Sequence, residues 1–226
     1  MNTIMIMFIP VMENNFAWRT QDPEYDWDMV GHLLIKNGSI LLIDPPYVHG
    51  IEQAVTFMGK PEAIIITTAD HTRGSRYLSY KLKIPLYVPD QGDSISVSPG
   101  EIYREKKIAN YKAYNEGPIF WLNAKRVKVY RKKEDKVPYI DEMILADNDG
   151  NIFTGDIAMG SSSCELLTCN EGFTDEPDTM LVKSSFESLK NATKELNKNN
   201  LISSHGTDIV GNLDEKIKKK MRLISD

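Results

Sequence analysis

Short apolar, β-branched runs dominate the first third of the chain, and two of them flank a tight turn. Residues 32–36 and 39–44 are joined by Asn37-Gly38. An Asn-Gly pair between two apolar runs is the strongest short-range sign of a β-hairpin, because both residues tolerate a positive φ. We therefore predict an antiparallel hairpin here. Further strands are predicted at residues 3–9 and 16–20, with an acidic, aromatic loop at 21–28.

The hydrophobic period changes after residue 47, from about two to about 3.6 residues. Residues 48–58 place Ile51, Val55 and Met58 on one helical face. Residues 63–67 form a continuous apolar run, which is typical of a strand buried on both faces. A second helix at 72–82 and a strand at 85–88 follow. This strand–helix–strand order predicts parallel pairing in the βαβ style.

The second half of the chain repeats this order. Residues 143–146 and 151–154 flank a second tight turn at 147–150, Asp-Asn-Asp-Gly. Further strands are predicted at 95–97, 119–122, 125–130 and 201–203, and helices at 184–197 and 213–223. Ser184 or Ser185 is the expected N-cap of the first of these helices. The pattern predicts an α/β (α+β) protein in which two mixed sheets pack face to face, with helices outside.

Length and composition set the broad class. The chain has 226 residues, of which 41% are hydrophobic and 26% charged, as expected for one globular domain over residues 1–226. No stretch approaches the roughly 20 apolar residues of a membrane helix. The apolar N-terminal residues 1–11 lack a basic leader, so we interpret them as a strand. Only two cysteines occur, Cys164 and Cys169, and we expect ordinary thiols in a cytoplasmic protein without a membrane partner.

A basic run at residues 125–133 is the one feature that points towards nucleic acid. The simpler interpretation is the solvated face of a strand and its turn. The net charge of −5 gives no general attraction for a polyanion, so we do not expect nucleic acid as a partner. A nucleic-acid-binding surface stays a third and weaker hypothesis.

Polar residues at strand ends are the candidate functional residues, because catalytic and binding side chains are concentrated in the loops that follow the strands of a sheet. The chain has only four histidines. Asp70 and His71 follow the buried run at 64–67, and His205 follows the strand at 201–203. Asp156 ends the strand at 151–154, in a Thr-Gly-Asp triplet. The other two histidines, His32 and His49, fit structural or surface positions better.

These spots together resemble the metallo-β-lactamase superfamily. Residues 64–71, Ile-Ile-Ile-Thr-Thr-Ala-Asp-His, resemble its segment ending in His-x-His-x-Asp-His. Phe-Thr-Gly-Asp at 153–156 is similar to the strand of its bridging aspartate, and Ser-Ser-His-Gly at 203–206 to its last histidine ligand. Residues 39–44 resemble its early strand ending in aspartate. The four matches occur in the family's order, over about residues 30–212. The resemblance implies a four-layer αββα sandwich.

The departures from the family pattern fall on its first metal position. The two histidines of His-x-His correspond to Ile66 and Thr68, and neither isoleucine nor a neutral threonine hydroxyl is a good zinc ligand. The region of the family's middle histidine, residues 134–141, contains no histidine. Glu134 or Asp135 could substitute there, but solvated loop charges are the simpler interpretation.

The resemblance carries the second metal position onto Asp70, His71 and His205, with Asp156 as the bridging carboxylate. It implies His71 and His205 as neutral nitrogen ligands, Asp70 as ligand and water-orienting base, and Asp156 as a charge-balancing ligand. At most one metal ion is expected. Zinc, iron and manganese all suit such nitrogen and oxygen donors. The resemblance also implies a pocket shaped by Pro46, Tyr47 and Thr68.

Two functions stay open on these residues. The first is a one-metal hydrolase of a small-molecule ester, thioester or lactone. The alternative is a catalytically inactive, metal-free relative that works as a binding or scaffold protein. In that case Asp70 would cap the helix that begins near Thr72, and Asp156 would accept bonds from backbone amides and His205. The substrate and the oligomeric state are not encoded in any pattern that we can interpret.

Overall fold

The fold is taken from a computed structural model, which describes residues 8–22, 27–90, 111–132, 134–196 and 198–225. Its strands are β1 (Ile9–Met12), β2 (Asn15–Gln21), β3 (Asp28–Lys36), β4 (Ser39–Ile43), β5 (Lys60–Ile65), β6 (Leu86–Pro89), β7 (Lys112–Tyr114), β8 (Gly117–Ile119), β9 (Leu122–Val129), β10 (Ile140–Ala146), β11 (Asn151–Thr154), β12 (Met159–Gly160), β13 (Leu166–Leu167) and β14 (Asn200–Ser203). Its α-helices are α1 (Ile51–Met58), α2 (Ser75–Leu82), α3 (Cys169–Phe173), α4 (Thr179–Leu196) and α5 (Leu213–Ser225). A 3-10 turn, Ala69–Thr72, precedes α2.

The first sheet contains seven strands within these residues, in the order β1-β2-β3-β4-β5-β6-β7. The strands from β1 to β4 are antiparallel neighbours, and those from β4 to β7 pair in parallel. The change to parallel pairing requires crossovers, and α1 and α2 supply the first two. The predicted βαβ arrangement is therefore confirmed.

The second sheet has the order β14-β11-β10-β9-β8, and only β11 and β14 pair in parallel. Strands β12 and β13 form a separate two-stranded sheet. The carboxyl ends of the parallel pairs β4–β5 and β11–β14 lie at one edge of the sandwich. There the sheets are joined through backbone bonds, from Val30 N–H to Ser204 O at 3.0 Å and from Met143 N–H to Thr67 O at 2.8 Å.

Alternation along the strands divides the buried residues into three layers of core. On β4, Leu41 and Ile43 face the second sheet and pack in the layer that contains Phe153. Ile40 and Leu42 face the other way and pack with residues of α1 and α2. A third layer lies between the second sheet and helices α4 and α5. The expected four-layer αββα sandwich is thus confirmed.

Most predicted elements are confirmed, including both hairpins, with ends displaced by a few residues. The predicted helix 72–82 is interrupted, because the 3-10 turn and α2 are separated by Arg73 and Gly74. The predicted strand 119–122 is wrong: it is the turn between β8 and β9, where Phe120 has a φ of 54°.

The predicted N-cap of the helix at 184–197 is also wrong. That helix, α4, begins at Thr179, and the Asp178 carboxylate accepts the N–H groups of Met180 and Leu181. The short helix α3 was not predicted. The predicted strand 95–97, and residues 3–7 of the first strand, lie outside the described residues. In the described part of the chain, no helix is long and apolar enough to cross a bilayer.

We expect Phe153→Ala to lower the free energy of unfolding by about 3–5 kcal/mol, because it empties a fully buried site between the two sheets. The control is Phe57→Ala on α1, whose side chain is 90% exposed, and it should change stability by less than about 0.5 kcal/mol. Urea unfolding of both variants measures the difference. Equal effects would contradict the assignment of Phe153 to the inter-sheet core.

Candidate metal centre

Three side chains from the two sheets converge at the edge where the parallel strands end. His71 lies in the 3-10 turn after β5, Asp156 follows β11, and His205 follows β14. The Nε2 atom of His71 lies 3.1 Å from Asp156 Oδ1 and 3.1 Å from His205 Nε2. His205 Nε2 and Asp156 Oδ1 are 3.3 Å apart. Two nitrogen atoms and one oxygen atom therefore face a common point.

Asp44, at the end of β4, orients His71. Its fully buried carboxylate accepts the Nδ1–H of His71 at 2.8 Å. The same carboxylate accepts the backbone N–H and the hydroxyl of Thr67, at 2.7 and 2.6 Å, and the hydroxyl of Ser204 at 2.5 Å. Because Asp44 binds Nδ1, the Nε2 atom of His71 is directed towards the common point.

A backbone carbonyl fixes the ring of His205. The Nδ1–H of His205 donates to the carbonyl oxygen of Asp28 at 2.9 Å. A carbonyl can only accept, so the proton is on Nδ1 and the lone pair of a neutral ring is on Nε2. The hydroxyl of Ser203 accepts the backbone N–H of His205 at 3.2 Å. His205 is thus held in the tautomer that a metal ligand requires.

The guanidinium of Arg73 lies against the same cluster. Its Nη1 donates to the carbonyl oxygens of Val30 and Asp44, at 3.0 and 3.3 Å. Its Nη2 donates to the carbonyl oxygen of Ser204 at 3.3 Å and to His205 Nε2 at 3.0 Å. A permanent positive charge therefore touches one of the three converging atoms.

The charges of the cluster stabilise one another. Burial and the nearby Arg73 would lower the pKa of His71, but the Asp156 and Asp44 carboxylates outweigh them and raise it to about 9. Burial would raise the pKa of Asp44, but the His71 imidazolium and its hydrogen bond lower it to about 2. The pKa of Asp156 is likewise held well below its usual range by His71 and His205 against the effect of burial. Burial lowers the pKa of His205, which keeps its ring neutral.

Glu142 of β10 supports the segment that carries Asp156. Its buried carboxylate accepts the backbone N–H groups of Gly155, Asp156 and Ile157, at 3.1, 2.5 and 3.1 Å. Burial and the Asp156 charge raise the pKa of Glu142 to about 8, although the backbone bonds act in the opposite direction. A Cβ atom at Gly155 would lie 2.7 Å from Thr67 Oγ1 and 3.2 Å from His71 Cε1. Only glycine therefore fits between the cluster and β10 without displacing a neighbour.

A cavity of about 580 Å³ opens onto the cluster. The rings of Trp27 and Phe173 stack with a centroid separation of 4.4 Å, and that of Phe173 lies 5.0 Å from the ring of His205. Asp70 and Asp22 add carboxylates to the lining. The volume is within the range of small-molecule sites, about 300–1,000 Å³. The cavity is lined by Asp22, Trp27, Met29, Asp70, His71, Arg73, Tyr139, Ile140, Asp156, Cys169, Asn170, Phe173, Thr174 and His205.

Three of the four predicted ligands are brought together, and the fourth is not. The ligand atoms of His71, Asp156 and His205 all lie within 4.8 Å of one another, and Asp70 is not part of that group. The side chain of Asp70 is exposed and lines the cavity. Its predicted role as a base is compatible with this position, whereas a role as ligand would require its carboxylate to move.

The residues predicted to shape a pocket lie around the cluster and do not line the cavity. Pro46 is buried, and its carbonyl oxygen accepts the indole N–H of Trp18 at 3.1 Å. The exposed ring of Tyr47 packs edge-on against Tyr77. Thr68 is buried and its hydroxyl accepts the backbone N–H of Asp70 at 3.5 Å, at the start of the 3-10 turn.

The first metal position of the family has no ligand set among the described residues. Ile66 is fully buried in the layer of core beneath α1 and α2. Glu134 is exposed, and the carboxylate of Asp135 accepts the backbone N–H of Lys132 in the same turn. Neither carboxylate joins the three-residue group.

Several residues around the cluster were missed as site residues, among them Asp44, which orients His71. Arg73 and Cys169 line the cavity, Glu142 supports Asp156, and Trp27 packs beside His205. Glu142 could have been noticed in the sequence, because it is an acidic residue that directly precedes the apolar residues of β10. Arg73 could not, since its role depends on strands that are distant in sequence. Cys164 is an exposed thiol, whereas Cys169 is buried at the start of α3.

The basic run at 125–133 is largely neutralised by carboxylates where the structure describes it. Arg126 forms two bonds with Asp141, at 2.7 and 2.8 Å, and Lys125 lies 3.3 Å from Glu116 and 3.1 Å from Glu195. These ion pairs reduce the positive potential that a polyanion would meet.

The three converging atoms fit a metal ion. A tetrahedral zinc ion about 2.0–2.1 Å from nitrogen and oxygen ligands holds those atoms about 3.3 Å apart. The separations here are 3.1, 3.1 and 3.3 Å. Without a metal, the 3.1 Å separation between His71 Nε2 and Asp156 Oδ1 suits a hydrogen bond from a protonated His71 to that carboxylate, and the His205 lone pair accepts from Arg73. Either a proton on His71 Nε2 or a metal ion can therefore satisfy the cluster.

We expect the metal-free protein to lose stability as the pH rises. The folded pKa of His71, about 9, lies above its ordinary value of 6.5, so its contribution is complete below about pH 6.5 and is lost as the pH rises through about 9. The folded pKa of Glu142 is raised from 4.5 to about 8, so its contribution to stability is likewise lost as the pH rises between these values. Urea unfolding with a chelator, from about pH 6 to 10, measures the slope. His71→Gln should flatten it, and His49→Gln, in an exposed loop, should not. A slope unchanged in His71→Gln would contradict the charge assignment.

Comparisons with known proteins identify the fold. No family model and no curated protein sequence matches the chain. Solved structures do match. The DIM-1 metallo-β-lactamase is 14% identical, with a TM-score of 0.66, and 97% of each chain is covered. A metallo-β-lactamase from Pontibacter korlensis is 10% identical, with a TM-score of 0.67 and coverage of 98% of this chain and 100% of that one.

A third match is the metallo-β-lactamase FIM-1 from Pseudomonas aeruginosa in its mono-zinc form. It is 13% identical, with a TM-score of 0.65 and coverage of 98% of this chain and 96% of that one. Identities this low carry no information on activity, but agreement over nearly the whole length of three chains does establish the architecture. This chain has the fold of the metallo-β-lactamase superfamily.

Proposed function

We propose that this protein is a metal-dependent hydrolase of a small molecule, with a single metal ion held by His71, Asp156 and His205. One observation carries the proposal: the three ligand atoms converge at separations of 3.1–3.3 Å beside a cavity of about 580 Å³. Zinc is the first choice, and iron and manganese suit the same donors. FIM-1, whose structure is in a mono-zinc form, is a precedent within the fold for one zinc ion.

The chain supplies orientation and charge around this point. A divalent ion bound there would provide Lewis-acid activation of water and of a substrate carbonyl oxygen. Asp44 and the carbonyl oxygen of Asp28 hold the two imidazoles with Nε2 inward. Such outer partners fix the tautomer and the ring orientation of metal-binding histidines. The carboxylates of Asp156 and Asp44 balance the positive charge.

The cavity walls suggest how a substrate would be held. The stacked rings of Trp27 and Phe173 offer an apolar surface beside His205. This surface can bind the apolar part of a small ester, thioester or lactone and exclude water from that side. Asp70 lines the same cavity and is exposed, so its carboxylate is placed to accept a proton from water.

A second candidate function is a metal-free binding or scaffold protein. The observation that favours it is the hydrogen bond from Arg73 Nη2 to His205 Nε2, at 3.0 Å, because it uses the lone pair that a metal would need. In this case the cavity would bind a small molecule without converting it. Metal content separates the two candidates directly.

We expect purified protein, incubated with Zn²⁺ and desalted, to retain about one metal ion per chain by elemental analysis. His205→Ala and Asp156→Ala should each lose it, because each removes one of three ligand atoms. His49→Ala is the matched control, since His49 is exposed in a loop away from the group of three, and it should retain the metal. Wild-type protein that stays metal-free after exposure to Zn²⁺, Fe²⁺ and Mn²⁺ would eliminate the metal-dependent hydrolase in favour of the second candidate.

Asp70→Asn tests the proposed base. We expect the metal content to be unchanged and the turnover of a small chromogenic acetate ester to fall by about 10²–10⁴, the usual effect of losing a general base. Loss of metal in this variant would instead make Asp70 a fourth ligand. Unchanged metal content together with unchanged turnover would remove Asp70 from the mechanism.

A further inference from the structure

Arg73 has an unusual backbone conformation for a residue with a large side chain. Its φ is 34° and its ψ is −120°, in a region that favours glycine. The next residue, Gly74, is pressed against the backbone of Tyr47, where a Cβ atom would lie 2.5 Å from the Tyr47 nitrogen. Strain of this kind persists only where surrounding contacts impose it, and it is concentrated at functional sites.

The contacts that hold Arg73 come from three separate segments. Its guanidinium donates to the carbonyl oxygens of Val30 on β3, Asp44 after β4 and Ser204 after β14. The fourth acceptor is His205 Nε2, at 3.0 Å. A guanidinium has donors only, so it is His205 that must provide the lone pair.

One lone pair cannot serve two cations. The Nδ1 atom of His205 is engaged with the carbonyl oxygen of Asp28, so Nε2 is the only nitrogen of this ring that can face a metal ion. That atom is the one that Arg73 holds. In addition, a guanidinium and a divalent ion this close would repel each other across a buried, weakly screened space.

From this geometry we propose that Arg73 is an internal competitor of the metal ion: its guanidinium occupies the His205 lone pair in the metal-free protein and must leave it when a metal ion binds. The inference rests on the proposed metal site at His71, Asp156 and His205. The cavity gives the side chain a place to go, because Arg73 already lines it. Asp22, on the lining of the same cavity, attracts the guanidinium.

The proposal is tested through metal affinity, without any assay of activity. Zn²⁺ dissociation constants are measured by competition with a chromophoric chelator for wild type, Arg73→Met and Arg73→Gly. The methionine variant fills the space without a charge. The glycine variant tolerates the positive φ at this position, so it provides a second folded protein to measure if the methionine variant folds poorly. Arg126→Met is the matched control, because Arg126 forms a two-bond ion pair with Asp141 on β9 and β10 and does not contact the cluster.

We expect both Arg73 variants to bind Zn²⁺ roughly ten- to a hundredfold more tightly than wild type, as removal of a charged hydrogen bond to the ligand implies. Arg126→Met should bind as wild type does. Metal binding by the Arg73 variants alone, with none in wild type, would support the competition and reject the proposed function of the natural chain. Affinity equal to or weaker than wild type in a folded Arg73 variant would overturn the inference, whatever the wild-type metal content.

Discussion

The buried carboxylate of Asp44 is the interaction on which the rest of the site depends. It receives four hydrogen bonds, from the backbone and hydroxyl of Thr67, the imidazole of His71 and the hydroxyl of Ser204. An isolated buried charge would be very unfavourable, but donors from two segments, one after β5 and one after β14, compensate it. These bonds join the ends of β4 and β5 in the first sheet to the segment after β14 in the second. Asp44 thereby links the two sheets at this edge and fixes the direction of the His71 ring.

The cluster above Asp44 has a balance of charge that does not require a metal ion. Asp44 and Asp156 carry two negative charges, and Arg73 and a protonated His71 carry two positive ones. A divalent cation would have to replace both the His71 proton and the guanidinium contact. The same set of residues is therefore compatible with two states. Which one dominates depends on small differences in free energy, because each contact contributes only a few kcal/mol.

The fold was largely predictable because its determinants are local. Alternation along β4 and the Asn37-Gly38 turn give the hairpin, and the continuous apolar run of β5 gives a central strand. Four short motifs in the order of the metallo-β-lactamase superfamily then predicted the four-layer sandwich. The errors lie where local pattern and tertiary context disagree. Phe120 is an aromatic residue of the kind that is common in strands, yet it lies in the turn between β8 and β9.

The site was only partly predictable, for a physical reason. His71, Asp156 and His205 stand at strand ends, and the resemblance to a known motif drew attention to them. Arg73 could not be recognised, because its partners lie 29 to 132 residues away in sequence. For Asp70 the sequence predicted too much. Its position in the motif indicated a metal ligand, but its side chain lines the cavity and is not part of the three-residue group.

The close packing around Gly155 affects how related chains should be compared. It has no functional group, yet Thr67, Glu142 and His71 approach it so closely that even one added methyl group would push against the ligand array. A relative could keep every histidine and aspartate of the cluster and still be unable to assemble it, if that glycine were replaced. An inventory of ligand residues would then classify the relative as competent when it is not. The glycine between the strand and the aspartate should therefore be weighed equally with the residues that would touch a metal.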